Sequence, residues 1–398
     1  MLKKLKYTYL LIISIHLGPL IDIITYITES GSEDYERIGL SQIIRGTLTI
    51  LMLLYTLIYR KYLVVDSIVK TLIYFVFFIF ITSLFHDSPY KNIVFGMRLL
   101  FLISIYLYSS NLMLRNIIGE DFVISSSFPI IITVIVSLIF GYILEVPSYE
   151  GIDIASSGIT GQPAGLSTNL ASILPILFIS NPYSLYKVLM MFFILGGIFI
   201  TFRRTAIIAG LSVYIIWLVY SVKYNIDWIK KFVIFLMMAF AFVFLYEIGI
   251  KYGFFDYVSE RFDEADVSKG GTGSGRSLFW EAAYKHILNR GYWVYDLFGE
   301  GYEASRLVTM KELGTYTMAH NDFIEILVDF GLVGIIFLIF YYRSLIKLLF
   351  NSHNKAVVLS IIIITFVFQM FAGGYFDPTF AALFLSMAYI RTKGEKRV

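Results

Sequence analysis

Residues 320–347 read HNDFIEILVDFGLVGIIFLIFYYRSLIK, a polar opening, a long apolar run and a basic close. Asp322, with Glu325 three residues on, has the pattern of a capping box, and the apolar run predicts a helix over 322–345. A run of this length matches the roughly 20 apolar residues that cross a bilayer core. Moving outward in both directions, the same signature recurs along nearly the whole chain. It predicts further helices at 7–27, 38–58, 62–84, 92–110, 122–144, 166–180, 184–200, 204–222, 229–250, 355–374 and 377–391, about twelve in all. Hydrophobic residues are 58% of the 398 and charged residues 15%. A soluble domain is about half apolar and a quarter charged, so the bilayer is the solvent here. The chain reads as all-α, a polytopic transmembrane bundle with one large outer loop.

Orientation follows from lysine and arginine, which collect in short cytoplasmic loops. Lys3, Lys4 and Lys6 precede an apolar run from Tyr7 to Ile27 with no small-x-small cleavage site after it, which predicts a retained first helix and a cytoplasmic N-terminus. Arg60 and Lys61, Arg115, Lys187, Lys223, Lys230 and Lys231, Arg343, Lys347 and Lys355, and the Arg391–Arg397 tail fall in segments assigned inside. The alternate loops at 28–37 and 145–165 carry mostly Glu and Asp. This division gives transmembrane helices over 1–250, an extracytoplasmic module over 251–320, and transmembrane helices over 321–398. In the module, 269–275 is a Gly/Ser/Thr linker, and Phe279, Trp280, Ala283, Tyr284, Ile287 and Leu288 recur at helical spacing from Ser277 to Arg290. A second short helix is predicted at about 304–313. A net charge of +3 with no basic stripe argues against nucleic acid, and zero Cys excludes thiol and disulfide chemistry.

Several polar residues stand out against this background. Arg203 and Arg204 sit in a very short loop placed outside, against the charge rule. Two guanidiniums at a helix N-terminus form a natural phosphate or pyrophosphate site, the competing reading being a mis-segmented cytoplasmic flank. Arg45 and Arg98 fall inside predicted helices near their outer ends, where an ionisable group costs roughly 2.5–3.5 kcal/mol to insert. They either share that anionic site or snorkel to the headgroups. Arg276 opens the amphipathic helix, where a solvated loop charge is the plain alternative. His320 is held at the outer surface, where an imidazole can take a proton from a hydroxyl, although a helix-end histidine is often only a polar end residue. The run Asp263, Glu264, Asp266 lacks a paired D-x-D element and reads as solvated charge, so no metal and no cofactor are expected. Gly158, Gly161, Gly165 and Asn169 mark a turn leading into a helix. No Walker loop, H-E-x-x-H or nucleophile elbow occurs.

Four segments together carry a family resemblance: ITGQPAG at 159–165 before Asn169, FRRTA at 202–206, GRSLFW at 275–280, and AHNDFIEILVDFGLVG at 319–334, with Gly299 and Gly301 ahead of the last. They resemble the O-antigen ligase and O-antigen/capsule polymerase family of bacterial polysaccharide assembly. The resemblance implies a metal-independent glycosyltransferase of the membrane-embedded C type, and in-line attack on its donor predicts inversion at the anomeric carbon. Its donor would be an undecaprenyl-pyrophosphate-linked oligosaccharide, used on the periplasmic face of the bacterial inner membrane. It implies that Arg204, Arg276 and His320 are catalytic. Arg203, Arg45 and Arg98 would join Arg204 and Arg276 in binding pyrophosphate, and Gln162, Asn169, Trp280 and Asn321 would line the substrate groove. A repeat-unit polymerase, with a chain-length regulator as a possible partner, is the leading expectation. A ligase delivering glycan to a lipid A core is the first alternative, and a lipid-glycan flippase the second.

Overall fold

A computed structural model describes residues 2–16, 40–86, 89–143, 163–180, 184–201, 203–223, 276–314, 316, 319–374 and 376–395, with isolated positions 20, 247 and 250. All regular structure in these residues is helical. The helices are α1 Leu2–Leu11, α2 Leu40–Ile58, α3 Ser67–Ser83, α4 Pro89–Leu114, α5 Glu120–Ser125, α6 Ser127–Ile143, α7 Pro163–Ile173, α8 Leu185–Ile200 and α9 Arg204–Lys223. After a gap in the description come α10 Arg276–Leu288, α11 Trp293–Phe298, α12 Ala304–Leu313, α13 Asp322–Asn351, α14 Lys355–Phe371 and α15 Ala381–Glu395. By length and composition, α2, α4, the α5–α6 stretch and α13 are long and apolar enough to cross a membrane, and α3, α8, α9 and α14 are shorter apolar helices. The linker at 269–275 and, apart from positions 247 and 250, the expected helix at 229–250 lie outside the described residues. The predicted span 62–84 begins later, at Ser67, because Arg60–Tyr62 forms a separate 3-10 turn and Asp66 caps α3 by accepting the Val69 N–H. The span placed at 166–180 is a half-length α7 continued as a 3-10 turn over Leu174–Phe178.

The bundle forms around α4, which is buried without a break from Phe101 to Met113 and packs against α2, α3 and α15. The helices define two ends. At one, Arg391 reaches Asp66 at 3.7 Å, Lys393 pairs with Glu120 at 2.9 Å, and Asn354 donates to the Phe178 carbonyl at 2.8 Å. There Arg115 also lies over the Tyr59 ring, and Lys187 donates to the Ile179 carbonyl. This is the basic end. At the other, His86 meets the Gly299 carbonyl at 3.3 Å and Lys91 pairs with Glu303 at 3.0 Å. His320 lies at this second end.

Helix α13 is broken rather than continuous. Gly331 has φ 63 and ψ −160 inside it, a backbone that L side chains resist. The break brings a second glycine against the first: a Cβ on Gly299, itself at φ 73, would overlap the Asp329–Phe330 peptide, and one on Gly331 would overlap Leu297. Breaking a helix at membrane depth frees carbonyls that need new donors. They are supplied from the 290–301 segment. Arg290 donates to the carbonyls of Leu327 at 3.3 Å and Val328 at 2.7 Å; the Glu300 N–H reaches Val328 O at 3.1 Å and the Gly301 N–H reaches Asp329 O at 2.8 Å. The Asp329 carboxylate in turn accepts the N–H groups of Glu303 at 3.0 Å and Ser305 at 2.9 Å, so a residue of α13 caps the start of α12. Ala283, Ala304, Val308 and Val328 make a small apolar core beneath, with Ile287 and Ile324 against it. The packed face of α10 is therefore narrower than its apolar spacing implies: Tyr284 and Leu288 are exposed.

Candidate active site

The turn that ends α14 gathers three parts of the chain. Thr205 donates its hydroxyl to the Phe371 carbonyl at 3.2 Å, which fixes the start of α9 just after Arg203 and Arg204. The Ala372 carbonyl meets His320 Nδ1 at 3.1 Å. The Gly374 N–H donates to Asp322 Oδ1 at 2.5 Å, fixing the start of α13. A fourth contact comes from α10, where Trp280 Nε1 donates to the Ala319 carbonyl at 2.8 Å, one turn along from Arg276. Residues far apart in sequence, at 203–205, 276–280, 319–322 and 371–374, are thus held at one place.

His320 is held from two sides. Its backbone is left-handed, with φ 56, a conformation uncommon outside glycine and concentrated at functional sites. The Glu325 carboxyl accepts the His320 backbone N–H. The Ala372 carbonyl can only accept, so Nδ1 carries the ring proton and Nε2 holds the lone pair. Burial pushes the imidazole below its ordinary 6.5, and the positive charges of Arg276, Arg203 and Arg306 push the same way, against the opposing Ala372 hydrogen bond. The ring is therefore less readily protonated than a free histidine, and its neutral form carries the lone pair on Nε2. Three guanidiniums from α10, the start of α9 and α12 stand close enough for their charge to be felt at this one ring.

The expected site residues fall into distinct places. Arg203 is half-buried and acts on His320, whereas Arg204, the first residue of α9, is exposed. Arg98 donates to the Tyr302 hydroxyl at 3.3 Å and faces the negative charges of Asp377 and Glu303. Arg45 is half-buried on α2. Asn321, expected in the groove, caps α13: its side chain accepts the N–H groups of Phe323 at 3.0 Å and Ile324 at 3.2 Å. The cap expected at Asp322 is corrected accordingly, since the Gly374 N–H draws the Asp322 carboxylate away into a tertiary contact. Asn169 is buried and its amide closes on the Gly165 carbonyl at 3.0 Å within α7. Trp280 acts as a brace through its indole N–H. Gln162 and the acidic run 263–266 lie outside the described residues.

Arg306 was not anticipated. It bonds Glu303 at 3.1 Å and its charge reaches both His320 and Glu325, yet on an ordinary surface-like helix nothing marks it in sequence. Asp329 did carry a signal, a carboxylate in the middle of an apolar helix.

Residues 189–339 match the family model described as O-antigen ligase. The matched region runs from α8 to the middle of α13 and includes Arg203, Arg204, Arg276, Arg306 and His320. It supports a glycan-transfer function related to that of O-antigen ligases, carried by a multi-pass membrane protein. A comparison with curated proteins gives no match.

Proposed function

We propose that this chain is a repeat-unit polymerase that transfers a glycan from undecaprenyl pyrophosphate to a hydroxyl of a lipid-linked acceptor unit. The observation that carries it is the 371–374 turn, which meets the His320 ring at Nδ1, leaving Nε2 to accept a proton within reach of three arginine charges. The acceptor hydroxyl attacks the anomeric carbon, the bond from that carbon to the pyrophosphate oxygen breaks with its electron pair leaving on the pyrophosphate, and the hydroxyl proton passes to His320 Nε2. Attack in line with the leaving group inverts the anomeric centre. Arg276 and Arg203, with Arg204 at the exposed start of α9, offset the charge that grows on the leaving diphosphate, as fixed positive groups do for developing anions. Arg306 adds to the same field. Arg98, tied to Tyr302, and Arg45 would hold more distant parts of the donor. No step needs a metal, so activity should survive EDTA.

The concentration of Arg60, Lys61, Arg115, Lys187, Lys347, Lys355, Arg391 and Lys393 at the basic end supports a cytoplasmic location for it by the positive-inside rule. His320 would then face the periplasm of a bacterial inner membrane. A second reading is a ligase that delivers the glycan to a lipid A core, a reaction of the same glycan-transfer class as the family match. A deletion strain separates the two. A polymerase leaves single repeat units attached, with long chains missing. A ligase leaves nothing attached, with lipid-linked chains accumulating. Elongation of lipid-linked units by the purified protein in detergent, where no second compartment exists, excludes transport as its primary role.

A further inference from the structure

At the basic end, between the start of α3 and the last turns of α13, a cavity of about 330 Å³ opens at the surface. Small-molecule sites begin at roughly 300 Å³, so a headgroup-sized ligand fits. Three cations line it: Lys70 on α3, Lys347 on α13 and Arg391 on α15. The single acid in its wall, Asp66, is already taken. It accepts the Val69 N–H at 3.0 Å and the Tyr106 hydroxyl at 2.6 Å, and it faces Arg391 at 3.7 Å. Among the described residues neither Lys70 nor Lys347 pairs with a carboxylate. Among the described residues the wall thus carries a net charge of +2, three cations against the one acid, while Ser67 and Asn351 add polar side chains.

What surrounds the cavity indicates where the balancing anion comes from. Val65 in its wall is 38% exposed, and Ile346 and Phe350, flanking Lys347 and Asn351 in sequence, are 46% and 73% exposed. In a membrane protein such surfaces meet acyl chains, so the cavity is reached sideways from the lipid. It is also separate from the His320 site. Lys347 lies a helical rise of roughly 38 Å along α13 from Asp322 at 1.5 Å per residue, shortened only by the bend at Gly331. Along the seam between α3 and α13, the gap beside Leu72, Phe75, Leu338 and Tyr341 amounts to only about 10 Å³.

We infer that this cavity binds the phosphate of an anionic phospholipid headgroup, with Lys70 and Lys347 as its charge partners and the acyl chains lying along α13. Basic pockets between transmembrane helices take such headgroups, and each lysine near the surface contributes enough to change affinity about fivefold. The inference needs the membrane setting but not the glycan-transfer reading.

Native mass spectrometry of the full chain, purified and supplied with phosphatidylglycerol or phosphatidylcholine, tests it. The wild type should retain phosphatidylglycerol preferentially. Lys70→Gln and Lys347→Gln should each weaken that preference about fivefold, and the pair together about 25-fold. The double Lys→Arg variant should restore it, which separates loss of charge from loss of fold. Equal retention of the two lipids by the wild type overturns the proposal, as does a double Gln variant that retains phosphatidylglycerol normally. In a second arm, inorganic phosphate is tested for protection of Lys70 from an amine-acylating reagent. Protection by phosphate in lipid-free detergent, with no preference among lipids, assigns the cavity to a soluble anion and overturns the lipid source.

Discussion

Glu300 and His320 lie at the same end of the bundle and are both partly buried, yet their surroundings treat them in opposite ways. Burial would push the Glu300 carboxyl up, but His286 at 2.7 Å and Arg290 at 2.8 Å outweigh it and hold the group below its ordinary 4.5. Opposite charges meet there, and the cluster docks α10–α12 onto the break in α13. Around His320, by contrast, burial and the charges of Arg276, Arg203 and Arg306 all act in one direction, against the charged ring. Complementary charge serves folding. Positive charge gathered around a group that is itself basic opposes its protonation, and it suits a site that receives an anion.

The strongest way to break this contrast is to remove Arg290. Its side chain is 2% exposed, and it holds Glu300 and the Tyr295, Leu327 and Val328 carbonyls at once. Taking one partner from a buried ion pair costs about 3–5 kcal/mol. Arg290→Ala should lower the unfolding temperature markedly and expose the 276–314 segment to protease. Arg276→Ala should do the reverse: near-wild-type unfolding, with glycan transfer reduced about 10²–10³-fold, the usual loss for one charge-stabilising donor. If Arg290→Ala proved stable but inactive, the two roles would have to be exchanged.

His320→Ala should cost about 10²–10⁴-fold in transfer without loss of fold. The acid limb of the pH–rate profile sharpens the point. A lowered histidine value means that the ring protonates only below 6.5, so activity should persist to more acidic pH than an unperturbed imidazole allows and then fall. An acid limb centred above 6.5 would contradict a ring shielded by burial and like charge.

Much of the fold was legible because hydropathy alone dictates helices in a bilayer, and α2, α8, α9 and α14 lie close to their expected spans. The break at Gly331 was not read. Gly331 and Gly334 sit in a run apolar enough to pass for one straight helix, and only the crossing of Gly299 shows why the first must be glycine. At 321–322 two good capping residues stand side by side. Local pattern favoured Asp322, whereas the choice of Asn321 is made by a tertiary partner, Gly374, that local pattern does not contain. For the site, Arg203, Arg276 and His320 could be named from charge placement and resemblance. The 371–374 turn that brings them together acts through backbone groups, which leave no mark on residue type. Arg290 looked like the ordinary last residue of the 277–290 helix.

A smaller effect probes the dock from the α12 side. Asp329→Ala removes the acceptor for the Glu303 and Ser305 N–H groups, and a lost helix cap costs about 0.5–2 kcal/mol. Acid should act in the same sense. Burial would raise Glu303, but Arg306 and Lys91 hold it below 4.5, as Arg290 and His286 hold Glu300. Their contribution is complete above 4.5 and is lost as pH falls through the lowered values. Protease resistance of the segment should therefore decline only in that strongly acidic range. A decline beginning near neutrality would contradict carboxylates held below 4.5 as the groups that titrate.

The most direct test of the anion site is equilibrium binding of undecaprenyl pyrophosphate to the purified full chain in detergent, with the Arg203→Gln/Arg276→Gln double variant beside the wild type. The wild type should bind saturably, and the double variant, unfolding at an unchanged temperature, should bind at least tenfold more weakly. Equal affinity in the two would show that the positive charge around His320 serves something other than a lipid pyrophosphate.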